Sequence, residues 1–114
     1  MSEALRRHVA AFNNRDLQAL LDGFTEDAVW ITGSSVARGR DELTELFSGA
    51  MVQLLPTLTV ENVLADGHQV AAQLTERLTH NGKDHGFAIA GFYRLSGDRI
   101  KSAKIYREGS AELG

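Results

Sequence analysis

The sequence predicts an α+β domain with elements in the order ααβαββββ, three helices packed on a mostly antiparallel sheet. Three observations lead there. Apolar residues recur every three or four positions in the first half, they alternate with polar ones after Pro56, and Gly-containing turns cut that second half into four strands. A chain of 114 residues holds one core, so a single domain over residues 1–114 is expected.

Ser2 can cap a first helix whose Leu5, Val9 and Phe12 fall at i, i+4 and i+7, with His8 on the same face. Asn13-Asn14-Arg15 breaks that period. Asp16 can cap a second, short helix with Leu17, Leu20, Leu21 and Phe24 apolar and Gly23 near its end. Ala28-Val29-Trp30-Ile31-Thr32 is β-branched and aromatic and reads as a strand, closed by Gly33-Ser34-Ser35. From Asp41 to Leu54, the residues Leu43, Leu46, Phe47, Ala50, Met51 and Leu54 form one helical stripe that Pro56, the only proline, stops. The period then becomes two, over Thr57 to Ala65, Gln69 to His80, His85 to Leu95 and Ile100 to Glu108. Asp66-Gly67, Asn81-Gly82 and Ser96-Gly97-Asp98 separate these strands, so consecutive ones should pair as antiparallel hairpins. Ser110 to Gly114 reads as a loose tail.

Charge and composition exclude several classes of function. The net charge is −3, and the 12 Lys and Arg are scattered among 15 acids, so no basic face is available for a nucleic-acid partner. Without cysteine there is no disulfide framework, thiolate nucleophile or thiolate zinc site. Residues 1–8 lack the apolar stretch of a secretory signal, and no run approaches the ~18 apolar residues of a membrane span. A cytoplasmic protein with no membrane partner is expected. The four histidines, His8, His68, His80 and His85, show no spacing that would hold zinc. The glycines match neither dinucleotide-binding nor phosphate-loop patterns, and Ser34-Ser35 lacks the glycine elbow of a hydrolase serine. Neither metal nor cofactor is expected.

Asn81-Gly82 favours a two-residue type I′ turn, which fixes the register of its hairpin. His80 then faces Lys83, Leu78 faces His85, Glu76 faces Phe87, Leu74 faces Ile89, Ala72 faces Gly91 and Val70 faces Tyr93; directly opposed residues share a face. That face is apolar except near the turn, so the helices should cover it. Glu76 interrupts the series, and a carboxylate there needs a partner or a raised pKa. His85 stands diagonally across at roughly 7–8 Å, within reach of long side chains. The pair is either an acid and base lining a pocket or two solvated groups where the strand end bends away from the helices. His8 and Trp30 likewise read either as core residues or as ligand contacts.

Phe12-x-x-Arg15-Asp16-x-x-Ala19-Leu20, Phe24-Thr25-x-Asp27-Ala28-Val29-Trp30 and Gly39-Arg40-Asp41-x-Leu43 resemble the opening of SnoaL-like members of the NTF2-like superfamily, which also holds the ketosteroid isomerases. The tail Tyr93-Arg94-Leu95-x-Gly97-x-x-Ile100 is similar too. The resemblance implies a conical half-barrel, a strongly bent sheet wrapped around the first helices with a ligand entering its open end, and a homodimer formed through the outer sheet surface. It places the isomerase tyrosine at His8, the aspartate base at Thr32 and the protonated acid at Phe87 or Gly86, none of which retains the residue type. Steroid isomerisation by the usual route is therefore not implied. The same positions mark a ligand pocket in which His8, Phe12, Trp30, Thr32, Leu74, Phe87 and Ile89 converge. In the last strand either Ala103, Ile105 and Arg107 face in, as the family pattern favours, or Ser102, Lys104 and Tyr106 do. In the first case Arg107 would pair with Glu76 and weaken it as a base.

Two functions compete. One is proton-transfer catalysis, an isomerase, cyclase or dehydratase acting on an apolar, carbonyl-bearing small molecule, with Glu76 as base and His8 or His85 as acid or oxyanion donor. The other is a binding module that holds a small hydrophobic molecule without chemistry, or that serves mainly to dimerise. Epoxide opening is a weaker third, since no inward Asp-Arg-Asp set is found.

Overall fold

The computed structural model describes residues 2–53 and 56–108, except for the side chains of Gln53 and His80. Leu54 and the tail expected from Ser110 to Gly114 lie outside the described residues. Helices α1 (Glu3–Asn13) and α2 (Leu17–Asp22) come first, then strands β1 (Phe24–Thr32) and β2 (Ser35–Arg38), and then helix α3 (Gly39–Gln53). Strands β3 (Thr57–Asp66), β4 (Gln69–His80), β5 (Lys83–Ser96) and β6 (Arg99–Arg107) complete the domain. Both cap readings are realised: Ser2 accepts from the Leu5 amide and Asp16 from the Ala19 amide, satisfying N–H groups that a helix start leaves free.

The six strands form one curled, unclosed sheet in the order β2-β1-β6-β5-β4-β3. Only β1 and β6 run parallel; the other neighbours are antiparallel. The β4–β5 register is the one the Asn81-Gly82 turn dictates, from His80 against Lys83 to Val70 against Tyr93. Asn81 and Gly82 have φ of 52° and 76°, the left-handed pair a type I′ turn requires.

Strand β2 is the element missing from the expected order. Gly33 and Ser34 do not simply end β1; they turn the chain back so that Thr32 faces Ser35 and Val29 faces Arg38. A four-residue strand whose only buried side chain is Ala37 carries too little alternation to be read from sequence.

One face of the sheet and the apolar faces of the helices share the core: Leu5, Val9 and Phe12 of α1, Leu43, Phe47 and Met51 of α3, and Val70, Ala72 and Leu74 of β4. Asn13, at the end of α1, locks the far side of this sandwich. Its side chain donates to the Leu58 carbonyl (2.9 Å) and accepts from the Leu58 amide (2.8 Å), as a neighbouring strand would. No helix among the described residues is long and apolar enough to cross a membrane.

Candidate functional site

A cavity of about 260 Å³ lies between the helices and the inner face of the sheet. Of the ten residues singled out from sequence, eight line it: His8, Phe12, Trp30, Thr32, Leu74, Glu76, Ile89 and Arg107. Phe87 stands just beside the lining, its ring 4.7 Å beneath the Arg107 guanidinium. His85 does not line the cavity; it is partly buried opposite Leu78, two pairs nearer the turn than Glu76.

Glu76 is only 8% exposed, so the alternation of β4 carries it inward rather than into solvent. The last strand also resolves. Ala103 and Ile105 are buried and Arg107 reaches the cavity, whereas Lys104 and Tyr106 face out. The cause is a bulge. Ser96 faces Arg99 and Leu95 faces Ile100, but Arg94 faces Ser102, so one extra residue, Lys101, is inserted and the inward parity switches from even to odd.

The Arg107 guanidinium and the Glu76 carboxylate form a salt bridge inside the cavity. The guanidinium offsets the desolvation that an isolated carboxylate would suffer there and favours the ionised form. Partial burial lowers Arg107 from its ordinary value, yet a guanidinium remains a cation at any working pH. His8 sits among rings: Trp30 at 5.4 Å, Phe24 at 5.6 Å, Phe47 at 6.0 Å and Tyr93 at 6.4 Å between centroids. Burial there depresses its pKa to about 4, so the imidazole is neutral at pH 7, and its Nδ1 is buried without a hydrogen-bond partner. Burial likewise raises the Tyr93 phenol above its ordinary value, so it stays protonated. The Trp30 indole N–H donates to Thr32 Oγ1 at 3.0 Å.

The arrangement therefore offers a carboxylate held by a cation, a neutral imidazole and the three hydroxyls of Thr32, Ser35 and Tyr93 in an otherwise mostly apolar hollow. These groups can orient an oxygen function and pass a proton. Sequence reasoning did not single out Tyr93, Phe47, Leu46, Leu58, Ser35 or Ile105, which also line the cavity. Tyr93 was findable, because it shares the inward parity of β5 with Ile89 and Phe87.

The same architecture recurs in solved structures. An LEH-like epoxide hydrolase of M. tuberculosis superposes with a TM-score of 0.84 at 20% identity, over 94% of this chain and 81% of that one. SalBIII, an epoxide hydrolase/cyclase-like enzyme of pyran ring formation in the polyether salinomycin, gives 0.84 at 23%, over 94% and 89%. A protein of ketosteroid-isomerase-like fold from Catenulispora acidiphila, in complex with trimethylamine, gives 0.83 at 17%, over 91% and 84%. At these identities the likeness is one of fold, the NTF2-like fold, and fold alone does not assign an activity. No curated protein matches the sequence. The SnoaL-like domain model matches residues 5–103, nearly the whole chain, and the protein belongs to that family.

Proposed function

We propose that this chain binds a small, predominantly apolar molecule bearing an oxygen function in the cavity between helices and sheet, and moves a proton on it. The observation that carries the reading is His8: its Nδ1 is buried in a cavity wall with no partner, a state that costs about 1–3 kcal/mol and that a ligand hydrogen bond would repay. Glu76 is the base and neutral His8 the hydrogen-bonding partner of the reacting oxygen. Two of the similar structures are named for epoxide hydrolase or cyclase chemistry, in which protons move at oxygen, and this supports the same class of step here. Among the described lining residues Glu76 is the only carboxylate, so a two-carboxylate route is not part of the proposal.

The test is mass spectrometry of the native protein and its extract, followed by turnover of the molecule that co-purifies. Glu76→Gln should keep the fold and the ligand and lose turnover; full turnover by that variant overturns the catalytic role. A second reading, binding without chemistry, is favoured by the Arg107 salt bridge, which makes Glu76 a weaker base. It predicts a bound molecule that the native protein leaves unchanged.

The outer sheet face supports a homodimer. Phe92 and Tyr106 form an edge-to-face pair there, 54% and 52% exposed, beside Leu64 at 75%. Phe92→Glu should convert a dimer to a monomer in light scattering; a native protein that is already monomeric overturns this assignment.

A further inference from the structure

The inner cavity, at about 260 Å³, falls short of the ~300–1,000 Å³ usual for a drug-sized ligand. A second hollow of about 360 Å³ lies between β2 and α3. Four residues, Trp30, Thr32, Ser35 and Leu46, line both. Leu46 belongs to the apolar stripe of α3, yet it is 40% exposed while Leu43 and Phe47 are buried, so its side chain stands at the boundary and not in the packed core.

Thr32 gives that boundary a chemical character. An indole nitrogen only donates, so the Trp30 contact uses the Thr32 oxygen as acceptor and leaves the hydroxyl proton for another group. Among the described residues no acceptor takes it. The outer rim carries Glu42 and Glu45, and Glu42 accepts from the Arg38 amide at 2.9 Å. The cation inside the cavity, Arg107, is engaged by Glu76. The boundary therefore presents a hydrogen-bond donor in apolar surroundings with negative charge outside it. That suits an uncharged acceptor and disfavours an anion.

We propose that the two hollows are halves of one elongated site, joined past Leu46, which takes an uncharged chain-like molecule whose ketone or ether oxygen accepts a hydrogen bond from Thr32 at the neck. The inference rests on the reading that the inner cavity binds a small apolar molecule. It adds the shape of that molecule, its charge and the residue that seats it.

Trp30 is the only tryptophan, so its fluorescence reports the neck directly. The full chain is titrated with methyl butyl ketone, methyl nonyl ketone and decanoate. The long ketone should bind more tightly than the short one, and decanoate about tenfold more weakly than the long ketone. Thr32→Val should weaken ketone binding about tenfold, near the upper end for a neutral hydrogen bond, while Thr32→Ser restores it. Leu46→Phe narrows the neck and should abolish the preference for the long ketone. Should both ketones bind with an affinity and length preference that neither Thr32→Val nor Leu46→Phe alters, the joined site is overturned and the inner-cavity reading stands. Should neither ketone bind the native protein, both fall together.

Discussion

Glu76 and Arg107 stand on strands that do not touch, β4 and β6, and meet over the ring of Phe87 on the strand between them. Glu76 faces Phe87 and Arg107 faces Ile89, so the two charges approach diagonally across β5. The bridge thus ties three strands at the cavity wall, and its energy is that of a partly desolvated pair. Attraction offsets the desolvation cost only while both partners are present.

That asymmetry gives a double-variant prediction. Arg107→Met should destabilise the fold by about 1–3 kcal/mol, because the nearly buried Glu76 keeps its desolvation cost and loses its partner. Glu76→Gln combined with Arg107→Met should recover much of that loss. Urea unfolding of the native chain, both singles and the double variant measures the coupling; additive losses would mean that the bridge is energetically idle.

His8 ties stability to pH. Its pKa is about 4 in the folded chain and 6.5 in the unfolded one. Between these values the unfolded chain binds a proton that the folded chain refuses, so stability falls as pH falls through this window. Over the whole window the loss approaches about 3 kcal/mol at ~1.4 kcal/mol per unit, and it grows no further below the folded value. His8→Phe lacks this group. The stability difference between variant and native chain should therefore shift in the variant's favour from pH ~6.5 down to ~4, as followed by urea midpoints at constant ionic strength; a difference that stays flat contradicts the buried neutral imidazole.

Legibility in the sequence followed locality. The inward direction of Glu76 was readable because Asn81-Gly82 sits five residues away and its turn type fixes every pair back along the hairpin. Arg107 was readable only as one of two parities, the one the family pattern favours and the structure adopts, because the choice depends on the bulge at Lys101, which depends in turn on where β6 meets both β1 and β5. The β2 hairpin was missed because a strand this short is stabilised by its partner and not by its own pattern. His85 was drawn to the site by a diagonal distance alone, whereas in the fold Arg107 is the group that reaches Glu76. The family resemblance placed Thr32 at the pocket, but that its oxygen is taken as an acceptor while its hydroxyl proton is left over became visible only with the Trp30 hydrogen bond.

Asn13 is a contact between distant segments that no local pattern encodes. It satisfies both the N–H and the C=O of Leu58, at the point where the chain enters β3 and beside the cavity wall. Asn13→Ala leaves two partly buried backbone groups unpaired and should cost about 1–3 kcal/mol. Asn13→Asp can still accept from the Leu58 amide but cannot donate to the carbonyl, so it should fall between the two. Melting curves rank the three; an alanine variant as stable as the native chain would show that water replaces the clamp.

Gly91 and Tyr93 test whether the shape of the cavity is set by the sheet beneath it. Both point inward from β5, and the Tyr93 ring lies back over Gly91, so that a β-carbon at Gly91 would come within 2.4 Å of the phenol oxygen and 2.6 Å of the ring. Tyr93 is buried and in contact with Trp30 and His8, and its rigid ring has little room to yield. Gly91→Ala should therefore cost about 1–3 kcal/mol through overpacking. Because the displaced ring lines the cavity, it should also alter Trp30 fluorescence in the folded state. Ala103→Gly, on the neighbouring strand opposite Tyr93, serves as a control that opens space without forcing the ring to move. A Gly91→Ala chain with native stability and unchanged Trp30 emission would show that the ring relocates freely, and that Tyr93 is not a fixed wall of the site.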